Sequence, residues 1–293
     1  MKLWLNSIFK KRIKHTTMLK YREYMHEYVH VDKVSNLDSH EFYTKYGFES
    51  KPVLIKDLMQ GWNAASDWAT AAFEKRIGNV EHVGTRVNDK KDKKLFKLSD
   101  YFQYMKECND PYPYYLLDCK FHIGTDMMND YAVPDYFRSC LDILGDKIPT
   151  RFKLSSIFIG ATNTFSDLHL DIYNTSAWNG VITGRKFWLF YPPGNGQYLY
   201  NGLVNPFEPD HEKYPDFAKA KPIICIQHPG EVVFTPSGWW HAVFNEVGGI
   251  SLTENFINET NFETVKTTLL FHDRIQELKI VEECMFEFAK INK

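Results

Sequence analysis

Short strands separated by turn residues fill the chain from about residue 152 to residue 257, and this pattern constrains the fold more than any other feature. Short apolar and β-branched runs alternate there with glycine, proline and asparagine. Such spacing is typical of an all-β sandwich or jelly roll. The sequence therefore predicts a mainly β core over residues 151–258.

Different patterns flank this β-rich stretch. Residues 1–35 are polar and predict a helical extension, with a helix over residues 19–30 (LKYREYMHEYVH). Residues 36–150 mix predicted helices and strands, and we expect this part to pack on the β core. Apolar residues recur at steps of three and four after residue 258, which predicts helices over residues 259–293. These helices would either cover the core or form a dimer face.

Three local patterns complete the expected architecture. Lys-Pro-Val-Leu-Ile at residues 51–55 predicts an edge strand, because proline is tolerated at the first residues of a strand. The polar run NDKKDKK at residues 88–94 predicts an exposed loop. Residues 194–216 contain many turn formers, so we expect a long insertion between core strands that shapes access to a site.

The clearest chemical signal is an ordered set of two histidines and one aspartate. His169 and Asp171 form a His-x-Asp pair, and alternate residues of a strand point to the same face. Much later, a Pro-Ser-Gly turn at residues 236–238 fixes the start of the strand that carries His241. Two imidazoles and one carboxylate, with coordination positions left open, are the ligand set of non-haem Fe(II) oxygenases. A surface pair or a hydrogen-bonded core histidine is the alternative for His-x-Asp alone, and the ordered set favours a metal site.

Lys186 follows in the next predicted strand, among the aromatic residues Phe187, Trp188 and Phe190. A cation buried there would be costly unless it were paired with an anion. We therefore expect Lys186 to anchor the far carboxylate of a dicarboxylate cosubstrate. The alternative is that its ammonium group reaches the surface along its aliphatic stem.

Charge and cysteine usage exclude several classes of protein. A formal net charge of −2 gives no overall attraction for nucleic acid or an anionic membrane. The five cysteines are scattered without a C-x-x-C pair, which argues against a zinc cluster or a disulfide framework and for a reducing compartment. No stretch approaches the ~20 apolar residues of a membrane span.

We expect the protein to be located in the nucleus or the cytoplasm. The basic cluster at residues 10–14 would suit a nuclear address, although a solvated helix face is the simpler interpretation.

Several motifs together resemble the Jumonji-C (JmjC) family of 2-oxoglutarate oxygenases, and within it the small branch of protein lysyl hydroxylases and arginine demethylases. These motifs are TSAWN at 175–179, GRKFWLFYPP at 184–193, PGEVVFTPSGWWHAVFN at 229–245 and SLTENF at 251–256. The resemblance covers about residues 35–260. It implies a double-stranded β-helix, the cupin-like JmjC barrel, with flanking helices and a homodimer formed through the C-terminal helices.

The resemblance also implies the ligands of the site. Fe(II) would be held by His169, Asp171 and His241, with 2-oxoglutarate as cosubstrate and O₂ as oxidant. Lys186 would bind the distal carboxylate of 2-oxoglutarate through a charge-assisted hydrogen bond.

Four further residues match positions that contact the cosubstrate in this family. Thr253 would donate its hydroxyl to the same distal carboxylate, and Tyr115 its phenol. Asn179 and Ser166 match two other contact positions, with serine at 166 where the branch has threonine.

The activity implied is the hydroxylation of a protein or peptide side chain, with lysine favoured and with succinate and CO₂ released. Removal of N-methyl groups from lysine or arginine is the first alternative, because hydroxylation of an N-methyl carbon leads to loss of that carbon. Hydroxylation of a tRNA base is a further alternative, which the near-neutral charge disfavours. A catalytically silent cupin that serves as a binding scaffold is the non-enzymatic alternative.

Unlike the resembled branch, this chain has no poly-Ser stretch or long basic tail, which argues against RNA association and higher oligomers.

Overall fold

Two β-sheets form most of the protein, which a computed structural model describes over residues 25–291. The strands are β1 (Val29–His30), β2 (Asp32–Val34), β3 (Val53–Ile55), β4 (Glu81–Arg86), β5 (Asp89–Lys97), β6 (Tyr114–Cys119), β7 (Ser155–Gly160), β8 (Phe165–His169), β9 (Ser176–Val181), β10 (Arg185–Tyr191), β11 (Ile223–Gln227), β12 (Val232–Thr235), β13 (Trp240–Val247) and β14 (Gly249–Phe256). Sheet one has the order β1-β11-β10-β13-β8, and sheet two has the order β2-β3-β12-β9-β14-β7-β6-β4-β5.

Six α-helices lie before and after the core strands. They are α1 (Ser39–Phe42), α2 (Asn63–Asp67), α3 (Ala71–Ile77), α4 (Leu98–Glu107), α5 (Phe262–Phe271) and α6 (Ile275–Ile291). Short 3-10 helices fill the connections, including the long one between β10 and β11 that the turn formers at residues 194–216 predicted. None of the helices between residues 25 and 291 is long and apolar enough to cross a membrane.

The eight strands from β7 to β14 form the jelly roll. Four of them, β11-β10-β13-β8, lie in sheet one, and the other four, β12-β9-β14-β7, lie in sheet two. All neighbours within these two sets are antiparallel. The prediction of a mainly β, cupin-like double-stranded β-helix with flanking helices is confirmed.

The outer face of sheet two is buried under the N-terminal half of the chain. Because side chains alternate along a strand, Trp178 of β9 and Phe234 of β12 point away from the space between the sheets. There Trp178 packs edge-on against Trp62, with ring centroids 5.6 Å apart. Phe234 meets Phe42 of α1 at 5.0 Å. This packing leaves the inner faces of the two sheets to form a site.

The C-terminal helices pack on the jelly roll, as their apolar spacing predicts. Val265 and Leu269 of α5 and Val281 of α6 are buried in one cluster with Leu141 and Phe152. Leu270 and Phe271, on the other side of α5, are exposed. The helices therefore cover one end of the core and still present apolar side chains to solvent.

The prediction of a helix at the N-terminal side was wrong where the structure describes it. Residues 25–34 form a 3-10 helix (Met25–Glu27) and the strands β1 and β2. β1 pairs in parallel with β11, and β2 pairs in parallel with β3. Pairing with two sheet edges outweighs the helical tendency of this segment, because it satisfies backbone groups that those edges would leave open. The part of the expected extension before residue 25 lies outside the described residues.

Two local predictions in the following segment were also wrong. The strand at residues 51–55 is not an edge, because β2 pairs with one side of it and β12 with the other. Residues 89–97 form a strand, β5, rather than a loop, and pair with β4. β5 is the outermost strand of sheet two, and charged lysines on an edge strand discourage pairing with other chains.

Candidate active site

The two histidines of the predicted triad face each other across neighbouring strands. His169 ends β8 and is the register partner of His241 in β13, so both side chains lie on the same face of sheet one. Their ring centroids are 4.2 Å apart. Asp171 lies just beyond β8, at the start of a 3-10 helix, and not within the strand as the His-x-Asp spacing predicted. One ligand atom from each of the three residues lies within 4.8 Å of the others.

The hydrogen bonds of these residues suit a metal site. Nδ1 of His169 is 2.7 Å from the Asp167 carbonyl, and Nδ1 of His241 is 3.1 Å from the Trp239 carbonyl. Each Nδ1–H donates to a carbonyl oxygen, which leaves Nε2 as the ligand atom, an arrangement usual for metal-binding histidines. Oδ2 of Asp171 is buried and has no hydrogen-bond partner between residues 25 and 291. A cation would satisfy that oxygen.

The protonation of His241 also favours a metal. Burial, together with the neighbouring His169, lowers the pKa of His241 to about 4. His241 is therefore neutral at physiological pH, which is the form of imidazole that binds metal ions.

A β-bulge brings Ser166 into the same pocket as His169. Val243 pairs with Ser166 while His241 pairs with His169, so β8 uses three residues where β13 uses two. Without this extra residue, side chains at 166 and 169 would point to opposite faces of the sheet. Strand periodicity alone would therefore separate these two residues.

Lys186 is buried, as its aromatic neighbours predicted, and only 6% of it is exposed. Its Nζ donates to Oδ1 of Asn245 at 2.9 Å and lies 3.3 Å from the Tyr115 hydroxyl. None of the ion pairs formed among residues 25–291 involves Lys186. The alternative in which the ammonium reaches the surface is wrong. A buried ammonium that meets only neutral groups is suited to receive an anion.

All eight residues predicted for the site line one pocket of about 90 Å³ between the inner faces of the sheets. They are Tyr115, Ser166, His169, Asp171, Asn179, Lys186, His241 and Thr253. Sequence-distant residues meet here because the register places Asn179 of β9 beside Thr253 of β14. The metal-ligand cluster and the buried lysine thus share a single cavity.

Two of these residues have contacts that refine their expected roles. The hydroxyl of Thr253 already donates to the Trp178 carbonyl at 2.6 Å, so it would have to turn before it could donate to a cosubstrate. Oδ1 of Asn179 is buried and lacks a hydrogen-bond partner between residues 25 and 291. Asn179 is therefore available to a ligand, whereas the donor of Thr253 is in use.

The sequence interpretation missed Asn245, which holds the lysine. Its Oδ1 accepts from Lys186, and its Nδ2 donates to Oγ1 of Thr164 at 2.7 Å, so the amide is fixed in one orientation. Period-two counting along β13 from His241 through Val243 reaches Asn245, so the signal was present. Asn255 and Thr235 also line the pocket and were not predicted.

An acidic residue and two tryptophans near the core strands lie outside the pocket. Glu231 accepts from the backbone N–H of His228 in a turn. The indole of Trp239 donates to the Ser50 carbonyl at 2.7 Å, and Trp178 belongs to the core behind sheet two. None of the three lines the pocket.

A polar cluster lies behind the pocket, on the outer face of sheet two. Glu254 of β14 pairs in register with Ser155 of β7, whose hydroxyl is 2.9 Å from Nε2 of His122 and 3.4 Å from the Tyr131 hydroxyl. Burial, together with the carboxylate of Asp142, raises the pKa of Glu254 to about 8. Glu254 is therefore protonated at neutral pH.

We expect Glu254→Gln to raise the melting temperature in a pH-dependent way. In the unfolded chain the carboxyl ionises above its ordinary pKa of 4.5, whereas the folded protein keeps it protonated until about pH 8. The wild type therefore loses stability as pH rises from about 4.5 to 8, and the variant does not. Calorimetry should show equal Tm values for the wild type and Glu254→Gln near pH 4. At pH 8 the Tm of the variant should be higher than that of the wild type by at least about 5 °C. The same substitution at the exposed Glu212 is the control, and a Tm difference independent of pH would contradict the prediction.

Comparison with known proteins identifies the family to which this chain belongs. A model of the cupin-like domain matches residues 39–264. The chain belongs to the cupin-like domain family. The match includes all three clustered residues, His169, Asp171 and His241, together with Lys186.

Several proteins similar to this chain are named as oxygenases or demethylases. The chain is 33% identical to the arginine-specific demethylase JMJ22 of Arabidopsis thaliana, over 80% of this chain and 47% of that protein. It is 29% identical to the bifunctional arginine demethylase and lysyl-hydroxylase psr-1 of Caenorhabditis elegans, over 79% of this chain and 62% of that protein. It is 27% identical to the 2-oxoglutarate and iron-dependent oxygenase JMJD4 of Gallus gallus, over 79% of this chain and 60% of that protein. The chain thus spans less than two thirds of the length of these relatives. The predicted resemblance to JmjC oxygenases is confirmed.

Proposed function

We propose that this cupin-like chain is an Fe(II)- and 2-oxoglutarate-dependent dioxygenase that hydroxylates a protein side chain, with lysine as the target. The observation that carries this proposal is one cavity with a three-residue metal-ligand cluster and a buried lysine that meets only neutral groups. A dicarboxylate bound to an iron at the cluster would supply the anion that Lys186 lacks. The relatives named as iron- and 2-oxoglutarate-dependent oxygenases support the same chemistry.

The metal would be held by His169, Asp171 and His241. When bound, iron together with 2-oxoglutarate and O₂ supplies the oxidation of a C–H bond, while the cosubstrate leaves as succinate and CO₂. The protein keeps both imidazoles oriented through the carbonyls of Asp167 and Trp239. This fixed orientation presents the two Nε2 atoms without reorganisation when a metal binds.

The cosubstrate would lie between the metal and Lys186. Lys186 would bind its distal carboxylate, and Asn245 and Tyr115 would hold the ammonium in place through the contacts already present. Asn179 would satisfy its buried amide oxygen by contact with a ligand or with a water molecule beside it. Ser166 and Thr253 complete the walls of the cavity.

Demethylation of N-methyl lysine or arginine is the second candidate, because JMJ22 and psr-1 are both named as arginine demethylases. The two activities differ only in which carbon of the substrate lies nearest the oxidant. We favour hydroxylation because the TSAWN and GWWH segments resemble the lysyl-hydroxylase branch. A protein substrate is common to both candidates.

A homodimer through the C-terminal helices also belongs to this proposal. Phe286 and Ile291 of α6 are 64% and 73% exposed, which is unusual for large apolar side chains. A second copy of the chain would cover them.

The type of oxidation is tested by the mass of the product. We expect unmethylated lysine-rich peptides incubated with protein, Fe(II) and 2-oxoglutarate to gain about 16 Da without formaldehyde, whereas demethylation makes a peptide about 14 Da lighter per methyl group and releases formaldehyde. Methylated copies of the same peptides provide the matched comparison, and tandem mass spectrometry locates the modified carbon. Formaldehyde release without any product that has gained 16 Da would favour the demethylase instead.

A further inference from the structure

A larger groove of about 670 Å³ adjoins the candidate active site. Asp171 lines both cavities, so the groove reaches the metal-ligand cluster. One wall is the loop after β8, with Leu170, Tyr173 and Asn174, and the other is the end of α5 with the turn that leads into α6. The groove therefore lies between the jelly roll and the C-terminal helices.

The loop wall is held rigidly by its neighbours. Tyr173 and Asn174 both have positive φ angles, 52° and 56°, which cost energy for residues with side chains. Oδ1 of Asn174 accepts from the Gly238 backbone at 2.7 Å, and the Asn174 carbonyl accepts from Oγ of Ser237 at 2.6 Å. The Tyr173 ring packs 5.7 Å from that of Phe152. This strained but fixed backbone sets the position of the tyrosine at the edge of the groove.

The second wall, at the end of α5, is held by backbone hydrogen bonds and carries the charged residues Asp273 and Arg274. The Arg274 N–H donates to the Leu269 carbonyl at 2.8 Å, and the Asp273 N–H donates to the Leu270 carbonyl at 3.1 Å. Asp273 has a positive φ of 54°, a conformation usual for a residue that ends a helix. Within residues 25–291, neither Asp273 nor Arg274 takes part in an ion pair. Phe271, beside them, is 84% exposed.

We propose that this groove binds the substrate segment of a protein and that Asp273 pairs with a lysine or arginine side chain of that segment. The inference rests on the proposed function, since it takes the groove as the approach to the metal. Asp273 is the one carboxylate among the groove residues apart from Asp171, which a metal would neutralise. Tyr173 and Phe271 offer apolar surface to the aliphatic part of such a side chain. Arg274 adds a positive charge beside Asp273 and disfavours a second cation there.

The test compares a lysine peptide with a neutral peptide of similar shape. The probes are Ac-Gly-Lys-Gly-NH₂ and the same peptide with norleucine, and binding to the metal-free protein is followed by saturation-transfer NMR. We expect the lysine peptide to bind wild type at least about threefold more tightly than the norleucine peptide, as an exposed ion pair predicts. Asp273→Asn should abolish this preference, and asparagine tolerates the left-handed backbone at this position.

Two control variants separate a specific contact from general charge. The exposed Asp146→Asn changes net charge equally and should keep the preference for lysine. Arg274→Gln should keep or increase it, because a positive neighbour is removed. Equal binding of both peptides by wild type, or an unchanged preference in Asp273→Asn, would overturn the assignment of Asp273.

A second measurement places the groove relative to the metal. With Mn(II) in place of Fe(II) and 2-oxoglutarate added, the paramagnetic ion should broaden the ε-CH₂ signal of the bound lysine peptide in wild type more than in Asp273→Asn. If Mn(II) and 2-oxoglutarate bind but the signal stays sharp, the groove does not lead to the metal and the inference fails. If Mn(II) does not bind at all, the proposed function fails, while the metal-free titration still decides whether Asp273 recognises a cation.

Discussion

His169→Ala and Asp171→Ala should each lower the Fe(II)-dependent conversion of 2-oxoglutarate to succinate by more than about 100-fold. Each substitution removes one of the three clustered side chains that would hold the metal, and even residues that merely orient such ligands typically contribute 10–100-fold. Succinate formation without a protein substrate, measured by NMR, together with the iron content per chain, checks this result. We expect both quantities to fall together.

Stability measurements distinguish a lost ligand from a damaged fold. Asp171 keeps a buried carboxylate oxygen without a hydrogen-bond partner among the described residues, so Asp171→Ala should leave the stability of the metal-free protein unchanged or raise it. The exposed His211→Ala serves as the control, and it should keep full iron binding. Full succinate production by either ligand variant would show that the triad is wrongly assigned.

Lys186→Ala should raise the apparent KM for 2-oxoglutarate sharply and leave the iron content near that of wild type. Loss of a charge-assisted pair in a desolvated pocket costs about 2–5 kcal/mol, which corresponds to roughly 30–4000-fold weaker binding. Lys186 lies in the same cavity as the metal-ligand cluster but is not part of it, so metal binding should survive. Titration calorimetry with 2-oxoglutarate and iron analysis measure the two effects separately.

Thr253→Val is the matched control for this second result. It removes a neutral hydroxyl that already donates to the Trp178 carbonyl, so we expect an effect of about 1 kcal/mol or less on cosubstrate binding. The metal-free Lys186→Ala protein should be no less stable than wild type, because it no longer buries an ammonium without an anion. Wild-type affinity of Lys186→Ala for 2-oxoglutarate would mean that the lysine is structural.

The sequence was informative where local rules determine the outcome. Strand and turn patterns placed His241 at the start of a strand after the Pro-Ser-Gly turn, and the structure begins β13 at Trp240. Aromatic neighbours predicted that Lys186 is buried, which it is. The apolar spacing of α5 and α6 predicted their buried faces, because helix periodicity is a property of the chain itself.

The features that the sequence did not predict depend on contacts between residues that are distant in the chain. Residues 29–34 contain two strands because they pair with the edges of β11 and β3. The local sequence does not indicate that these edges are available. The bulge in β8 places Ser166 beside His169, and it exists only in the pairing with β13. Counting along β13 from His241 puts Asn245 on the site face, but its role as the partner of Lys186 depends on the pairing of β10 with β13.

The sequence by itself predicted the jelly roll, the candidate metal ligands and the buried lysine, because side-chain alternation, turn residues and burial cost act over a few neighbouring positions. The tertiary structure alone decided that Asp171 meets the two histidines from beyond the strand and that Asn245 holds Lys186. It also decided that Asp273, more than 100 residues from Asp171 in the chain, faces the same groove. Such contacts depend on strand register and helix docking, which are set by the packing of the whole core and not by any one segment.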